Sequence, residues 1–397
     1  MAKNKRGLMA TILLVALVHV PQMALTPGIA RIKTDAFPEY SLLVIQSAVT
    51  LPCLLSVVSG IVSAVLIRFG KLTRKAATVI GLALFGAAGL FTLFFHAHFF
   101  QLILAGLMLG WGTGMFVPNI TSILIDNFDE RDRKLASGLQ GASASFGGIV
   151  LSFFAGLLVT YLWYGGYLML LLGLPICAVC IANLPAQKAS GTEAERGPRR
   201  KLPIDVLYFS SVASFLFVMM FASFSNNLSS HFQAAGIVNY SAMAGIGIAI
   251  NMFSGFLMGL FFNKLSMRYG DYLIAAAFVF LAAGFFLVGV FTHVLPLMLV
   301  GAFISGMAIC LATPQGIVSM SRYVDESNSF FATMLFNCVM NGMAGFLSAP
   351  VLTGITQLIA GDDTVFRYNF IALLALAIGL AFAWSIARRA KRGAVWR

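Results

Sequence analysis

Apolar runs of twenty or more residues follow one another along almost the whole chain, with only short polar breaks between them. A run of that length leaves no room for the alternating solvated face of a soluble helix or strand. It does match the roughly 20 helical residues needed to cross about 30 Å of hydrocarbon. In lipid every backbone N–H and C=O must be satisfied within the chain, so the runs are expected as helices. Charged residues make up only 10% of the 397-residue chain, far below the roughly 25% of an ordinary soluble domain. The runs fall near 8–31, 40–67, 76–95, 99–125, 134–162 and 164–186, then near 203–230, 240–263, 271–291, 294–320, 327–358 and 366–387. This predicts an all-α integral membrane protein of twelve transmembrane helices, arranged as two six-helix bundles over 1–186 and 203–397. The polar segment 187–202, QKASGTEAERGPRRKL, joins them.

The basic residues give the expected orientation, because loops rich in Lys and Arg are retained in the cytoplasm. With twelve spans and the N-terminus inside, 23 of the 26 Lys and Arg fall on the cytoplasmic side, leaving Arg31, Lys33 and Arg367 outside. A multi-pass protein of a cell inner membrane, with both termini cytoplasmic, is therefore expected. The net charge of +12 sits at helix ends rather than on one solvated face, which argues against nucleic acid as a partner. Lys3, Lys5 and Arg6 before the first run resemble a signal peptide. No small-residue cleavage site closes that run and further spans follow, so it is expected as a retained first helix. Cys53, Cys177, Cys180, Cys310 and Cys338 all lie in apolar runs and are expected as small buried hydrophobes, not redox or metal residues.

Shifting the sequence by 196 residues brings landmarks of the first half onto the second without a gap. Ser63 meets Gly259, Arg68 meets Lys264, Gly110 meets Gly306 and Pro118 meets Pro314. Gly106, Gly110 and Gly114 likewise meet Ala302, Gly306 and Cys310. Each trio, spaced by four, is a small-residue stripe along one helix face, the pattern that lets helices approach closely in lipid. Six-helix repeats joined by a central cytoplasmic linker suit a protein whose halves rock about a site near the bilayer midplane.

In topology and repeat the chain resembles transporters of the major facilitator superfamily. The loop Ser63-Ala-Val-Leu-Ile67-Arg68-Phe-Gly70-Lys71 is similar to that family's Gly-x-x-x-Asp-Arg-x-Gly-Arg, with Ser63 in place of its Gly and Ile67 in place of its Asp. Gly259-Leu-Phe-Phe-Asn263-Lys264 is a weaker second copy, with Asn263 in place of the Asp. The resemblance implies a cytoplasmic latch. Ile67 cannot make its acidic contact, but Arg68, Lys71 and Arg74 are candidates to pair with Asp126, Asp129 or Glu130, and Lys264 is the matching candidate in the second half. Proton-coupled multidrug exporters of the family carry an arginine in the fourth helix and a Gly-Pro pair in the fifth. Here Gly106 stands where that arginine is expected, and the fifth helix reads Gly141-Ala-Ser-Ala-Ser-Phe-Gly147-Gly148.

None of the 14 acidic residues falls near the middle of a span, and no Lys or Arg is central. Ionisable groups within spans usually mark proton relays or counter-ions to charged cargo, so the expected cavity is nearly uncharged. His19, halfway along the first run, is the candidate for coupling to protons. The candidates for substrate binding are amides: Asn119 and Gln315, which follow the repeat-related prolines, with Gln22, Gln140, Asn226, Asn227, Asn337 and Asn341. Thr26 and Asn251 complete the set of polar residues within spans. Phe215, Phe217, Phe221 and Phe224 lie at or near one face of the seventh helix; if they line a cavity, amphiphilic or aromatic cargo is favoured. Gly110-Trp-Gly112-Thr-Gly114 is no nucleotide loop, since no strand precedes it and no Lys follows.

The expected function is a secondary active or facilitative carrier of a small neutral or weakly charged organic molecule, working by alternating access. Its expected partners are that solute and the bilayer, with protons as a candidate coupled ion, and the expected state is a monomer without cofactor. Export of lipophilic compounds by a proton-coupled efflux pump is the alternative. A membrane enzyme or non-transporting sensor is the alternative of a different class, but no converging nucleophile, base or metal ligands are present for an enzyme.

Overall fold

The structure, a computed structural model, describes residues 3–185, 204–321 and 342–391, and no strand occurs among them. The helices are α1 (Lys3–Ala16), α2 (Leu42–Arg68), α3 (Arg74–Phe94), α4 (Phe99–Asn127), α5 (Glu130–Tyr161) and α6 (Gly165–Asn183). They continue as α7 (Ile204–Ala234), α8 (Tyr240–Tyr269), α9 (Tyr272–Val290), α10 (Leu295–Ser321), α11 (Gly342–Ala360) and α12 (Thr364–Lys391). Among the described residues eleven helices, α2 to α12, are long and apolar enough to cross a membrane.

The first apolar run is the exception, and it corrects the expectation of one continuous helix over 8–31. Helix α1 ends at Ala16, and helical turns resume at Gln22–Leu25, Thr26–Gly28 and Ile29–Arg31 before a π-helical turn at Ile32–Ala36. Pro21 explains the break: it has no N–H for the Leu17 carbonyl one turn earlier, and its ring disfavours helical backbone at Val20.

Elsewhere the ends follow local chemistry. Ser41 Oγ accepts from the Val44 N–H at 3.3 Å to start α2, and Thr73 Oγ1 accepts from the Ala76 N–H at 3.1 Å to start α3. Helix α2 stops at the signature-like loop, where Gly70 has a left-handed φ of 67°. The Gly70 N–H donates to Ile67 O and the Lys71 N–H to Leu66 O, both at 3.0 Å. That pair of bonds needs a residue free to turn left-handed.

The chain forms two compact units: Met1–Ala194 with Val238–Ala249, and Glu195–Ile237 with Ile250–Arg397. In the first, α4 packs along α2 and α3, around a core that includes Leu82, Phe85, Leu109, Phe116 and Ile120. A Cβ on Gly110 would lie 2.6 Å from the Pro52 carbonyl oxygen, so this glycine sets how closely α4 meets α2. In the second unit its repeat partner Gly306 meets the Asn251 carbonyl of α8 in the same way. Here α9 packs along α10 and α12. Phe217 and Phe224 are fully buried, edge-on to Phe278 and Phe285 of α9 at 5.5 and 5.1 Å. These two rings are core, not cavity wall.

Candidate functional site

The break at 17–21 exposes polar chemistry inside the first unit. His19 lies within it, and its Nδ1 is buried with no hydrogen-bond partner. One turn on, Gln22 Nε2 donates to Cys53 Sγ of α2. The other wall is α5: Ser143 Oγ donates to Leu13 O at 2.7 Å, and Gly147 rests directly on the Leu17 backbone. Beside the break a groove of about 320 Å³ is lined by apolar residues, including Leu14, Leu17, Val18, Phe146 and Ile176. At the far end of the first run Arg31 Nη1 donates to Val159 O at 3.0 Å and to Thr160 O, and its guanidinium pairs with Asp35 at 2.6 Å. Arg31 thus caps the carbonyl end of α5.

Two other expected ligands of this unit are held between helices. Asn119 Nδ2 donates to Met115 O at 2.6 Å and to Ser63 Oγ of α2 at 3.3 Å. Gln140 Nε2 of α5 donates to Thr121 Oγ1 of α4 at 3.0 Å.

In the second unit Asn226 Nδ2 donates to Ser348 Oγ at 2.9 Å, where α11 widens into a π-helical turn over Ser348–Thr353. Such turns recur at functional sites. Gln315 joins a cluster at the α8–α9 connection. Its Oε1 accepts from Ser266 Oγ at 2.7 Å and its Nε2 donates to Asp271 Oδ1 at 2.9 Å; Ser319 Oγ donates to the same carboxylate oxygen. Asn251 Nδ2 donates to Ser305 Oγ at 2.8 Å and to Ala302 O at 3.1 Å, tying α8 to α10. Asn337 and Asn341 lie outside the described residues.

Asn227 opens onto a network that sequence reasoning missed. Its Oδ1 accepts from Arg367 Nη1 at 3.0 Å, and its Nδ2 donates to Ser223 O at 2.9 Å. Arg367, expected on the outer side at the start of the twelfth run, lies in the first turn of α12 with no surface exposed. Its Nε donates to Thr356 Oγ1 at 2.9 Å. The equally buried His231 has Nε2 2.9 Å from Val288 O and Nδ1 3.0 Å from Thr364 Oγ1. A carbonyl can only accept, so Nε2 carries a proton, and in the neutral ring Nδ1 accepts from the Thr364 hydroxyl. The network ties α7 to α9, α11 and α12. Arg367 in the first turn of α12 and His231 in the last turn of α7 lie at span ends, away from the span middles that the sequence leaves without Asp, Glu, Lys or Arg. The one signal for Arg367 was that the apolar run closes around it within three residues, in Thr364-Val-Phe-Arg367-Tyr-Asn-Phe-Ile371.

The latch candidates separate. Arg74 pairs with Asp126, joining the start of α3 to the end of α4. Lys5 pairs with Asp129 at 3.1 Å, whereas Arg68, Lys71 and Lys264 are exposed. Lys75 Nζ donates to Ile181 O at 2.9 Å and Leu184 O at 2.7 Å, closing the end of α6. Cys53, Cys177, Cys180 and Cys310 are free thiols, and no metal-binding group of side chains occurs among the described residues.

The sequence model of the Major Facilitator Superfamily matches residues 8–349. The chain belongs to the major facilitator superfamily. It is a membrane-spanning secondary transporter by family, not an enzyme. Solved structures of this superfamily member's fold include a POT peptide transporter in complex with sulfate, at TM-score 0.77 and 15% identity, covering 98% of this chain and 95% of that one. The nucleoside transporter NupG superposes at TM-score 0.71 and 13% identity, over 96% and 99% of the two chains. A POT family transporter in complex with 5-aminolevulinic acid does so at 0.70 and 15%, over 94% and 95%. At these identities the likeness is one of fold. Among curated proteins none matches this sequence significantly.

Proposed function

We propose that this transporter moves a small, neutral or weakly charged organic molecule by alternating access, and that the break in its first span recognises the cargo. The observation that carries this reading is the buried, unpartnered Nδ1 of His19 at an interrupted helix. Interrupted spans free backbone and polar groups at membrane depth, and carriers use them for substrate and coupling ions. Gln22, one turn further on, completes the proposed ligands of the first unit. Asn119, Gln140, Asn227 and Gln315 act on the cargo indirectly, by fixing helices with the bonds described above. The Arg74–Asp126 pair serves as the remaining latch in place of the signature's missing acid. The protein sits in a cell inner membrane with both termini cytoplasmic, as the distribution of Lys and Arg supports.

The test is ligand-induced stabilisation of the detergent-purified protein across neutral, anionic and cationic solutes, since a ligand that binds only the folded state must raise its stability. A solute that stabilises the parent protein by several degrees should lose at least tenfold in affinity on Gln22→Ala, with the melting point of the free protein little changed. Unaltered affinity would remove the break from the site. His19→Gln should also abolish the response of transport to an imposed pH gradient while downhill exchange continues. A retained response would rule out His19 as the coupling group.

A further inference from the structure

Two guanidiniums at one end of the second unit lie on aromatic rings instead of carboxylates. Arg388 Cζ sits 3.6 Å from the ring centroid of Trp384, one turn earlier on α12, and Arg268 Cζ sits 5.4 Å from that of Tyr269 at the end of α8. Both arginines are exposed, and neither forms an ion pair among the described residues. The helix register brings them to the same end. Phe278 of α9 stacks on Phe382 of α12 at 5.8 Å, while Gly289 of α9 meets Tyr368 of α12, so the two helices run antiparallel. Tyr272 precedes Phe278 by as many residues as Arg388 follows Phe382, and each lies about 9 Å along its helix from the stacked pair, toward that end. There Gly270, with a left-handed φ of 51°, turns α8 directly into α9.

The patch stands at the margin of the membrane-crossing lengths: the apolar spans of α8 and α12 end at Tyr269 and Arg388, and that of α9 begins at Tyr272. Tyr269, Tyr272 and Trp384 are all exposed, and amphipathic rings at such margins sit at headgroup depth. Lys264, one turn before Arg268, is exposed too, and the sequence adds Arg389 and Lys391 beside Arg388. The acid in this stretch, Asp271, turns toward α10: its Oδ1 accepts from Gln315 Nε2 at 2.9 Å and from Ser319 Oγ. We infer that this end of the second unit is a binding site for the phosphodiester headgroup of an anionic phospholipid. An Arg fork matches phosphate oxygens bidentately, and a ring beneath the guanidinium orients it without neutralising its charge. A free anion would meet the guanidiniums and leave the exposed rings bare, whereas a lipid covers both. The inference does not depend on the identity of the cargo.

The experiment measures thermal stabilisation of the full-length protein in detergent by short-chain phosphatidylglycerol. Phosphatidylcholine of the same chain length and inorganic phosphate are separate arms. Phosphatidylglycerol is expected to raise the melting point, with the other two well behind. Arg268→Gln together with Arg388→Gln should weaken phosphatidylglycerol binding about fivefold for each guanidinium removed, and Trp384→Leu should weaken it by less. Arg68→Gln together with Lys71→Gln removes the same charge from exposed positions of the first unit and should leave that binding unchanged. If the double variant of the second unit does not fold, its two single variants carry the test. Equal stabilisation by phosphatidylcholine, an equal shift from inorganic phosphate, binding that survives loss of both arginines, or an equal loss from the Arg68 and Lys71 changes would each overturn the assignment.

Discussion

Replacing Gly147 with alanine is expected to destabilise the protein by about 1–3 kcal/mol, whereas alanine at Gly141, in the same helix, should be neutral or slightly stabilising. The contrast comes from what a new Cβ would meet. At Gly147 it would lie 2.5 Å from the Leu17 Cα, a backbone atom that cannot turn aside, while at Gly141 nothing stands within 4 Å. At the open position the gain in helix propensity, roughly 1 kcal/mol for Gly to Ala, is unopposed. Because the clash falls on the break in the first span, Gly147→Ala should also weaken solute binding more than its melting point alone suggests. Thermal unfolding of the two variants side by side checks this, and equal effects would mean that α5 does not seat on the break.

The second large effect concerns the buried guanidinium. Asn227→Leu should cost about 1.5–3 kcal/mol, because it strips one of two hydrogen bonds from a charge that stays buried. Arg367→Met should cost less, since it removes the charge and leaves only neutral oxygens behind. The double variant should be more stable than Asn227→Leu alone, with a coupling on the order of 1 kcal/mol or more. Simple additivity in a double-mutant cycle would show that the two side chains do not depend on each other in the working protein.

The family and the helix pattern were legible in the sequence because the bilayer imposes them: hydropathy fixes span length, and the loop signature survives in degenerate form. The small-residue stripe around Gly110 and Gly306 was legible for the same reason, as close helix approach admits few residue types. The break at Pro21 was visible as a proline but not as a break, because Pro118 and Pro314 lie inside the continuous helices α4 and α10. At the break the Leu17 backbone meets Gly147 of α5, a contact that spans more than a hundred residues. Arg367 was placed on the outer side by charge counting, which says nothing of its burial. Its burial depends on Asn227 and Thr356, which arrive from two other helices. Asn119 and Gln315 hold matching places in the 196-residue repeat, yet one bonds a serine and the other joins an aspartate's cluster, a difference that alignment of the halves does not carry.

Counterflow in proteoliposomes tests the central claim most directly. Vesicles holding the purified protein and preloaded with an unlabelled solute that stabilises it should transiently concentrate the labelled solute from outside, without ATP. Gln22→Ala should lower that rate at limiting solute concentration. Binding of the solute without any protein-dependent counterflow would contradict the account of this chain as a carrier.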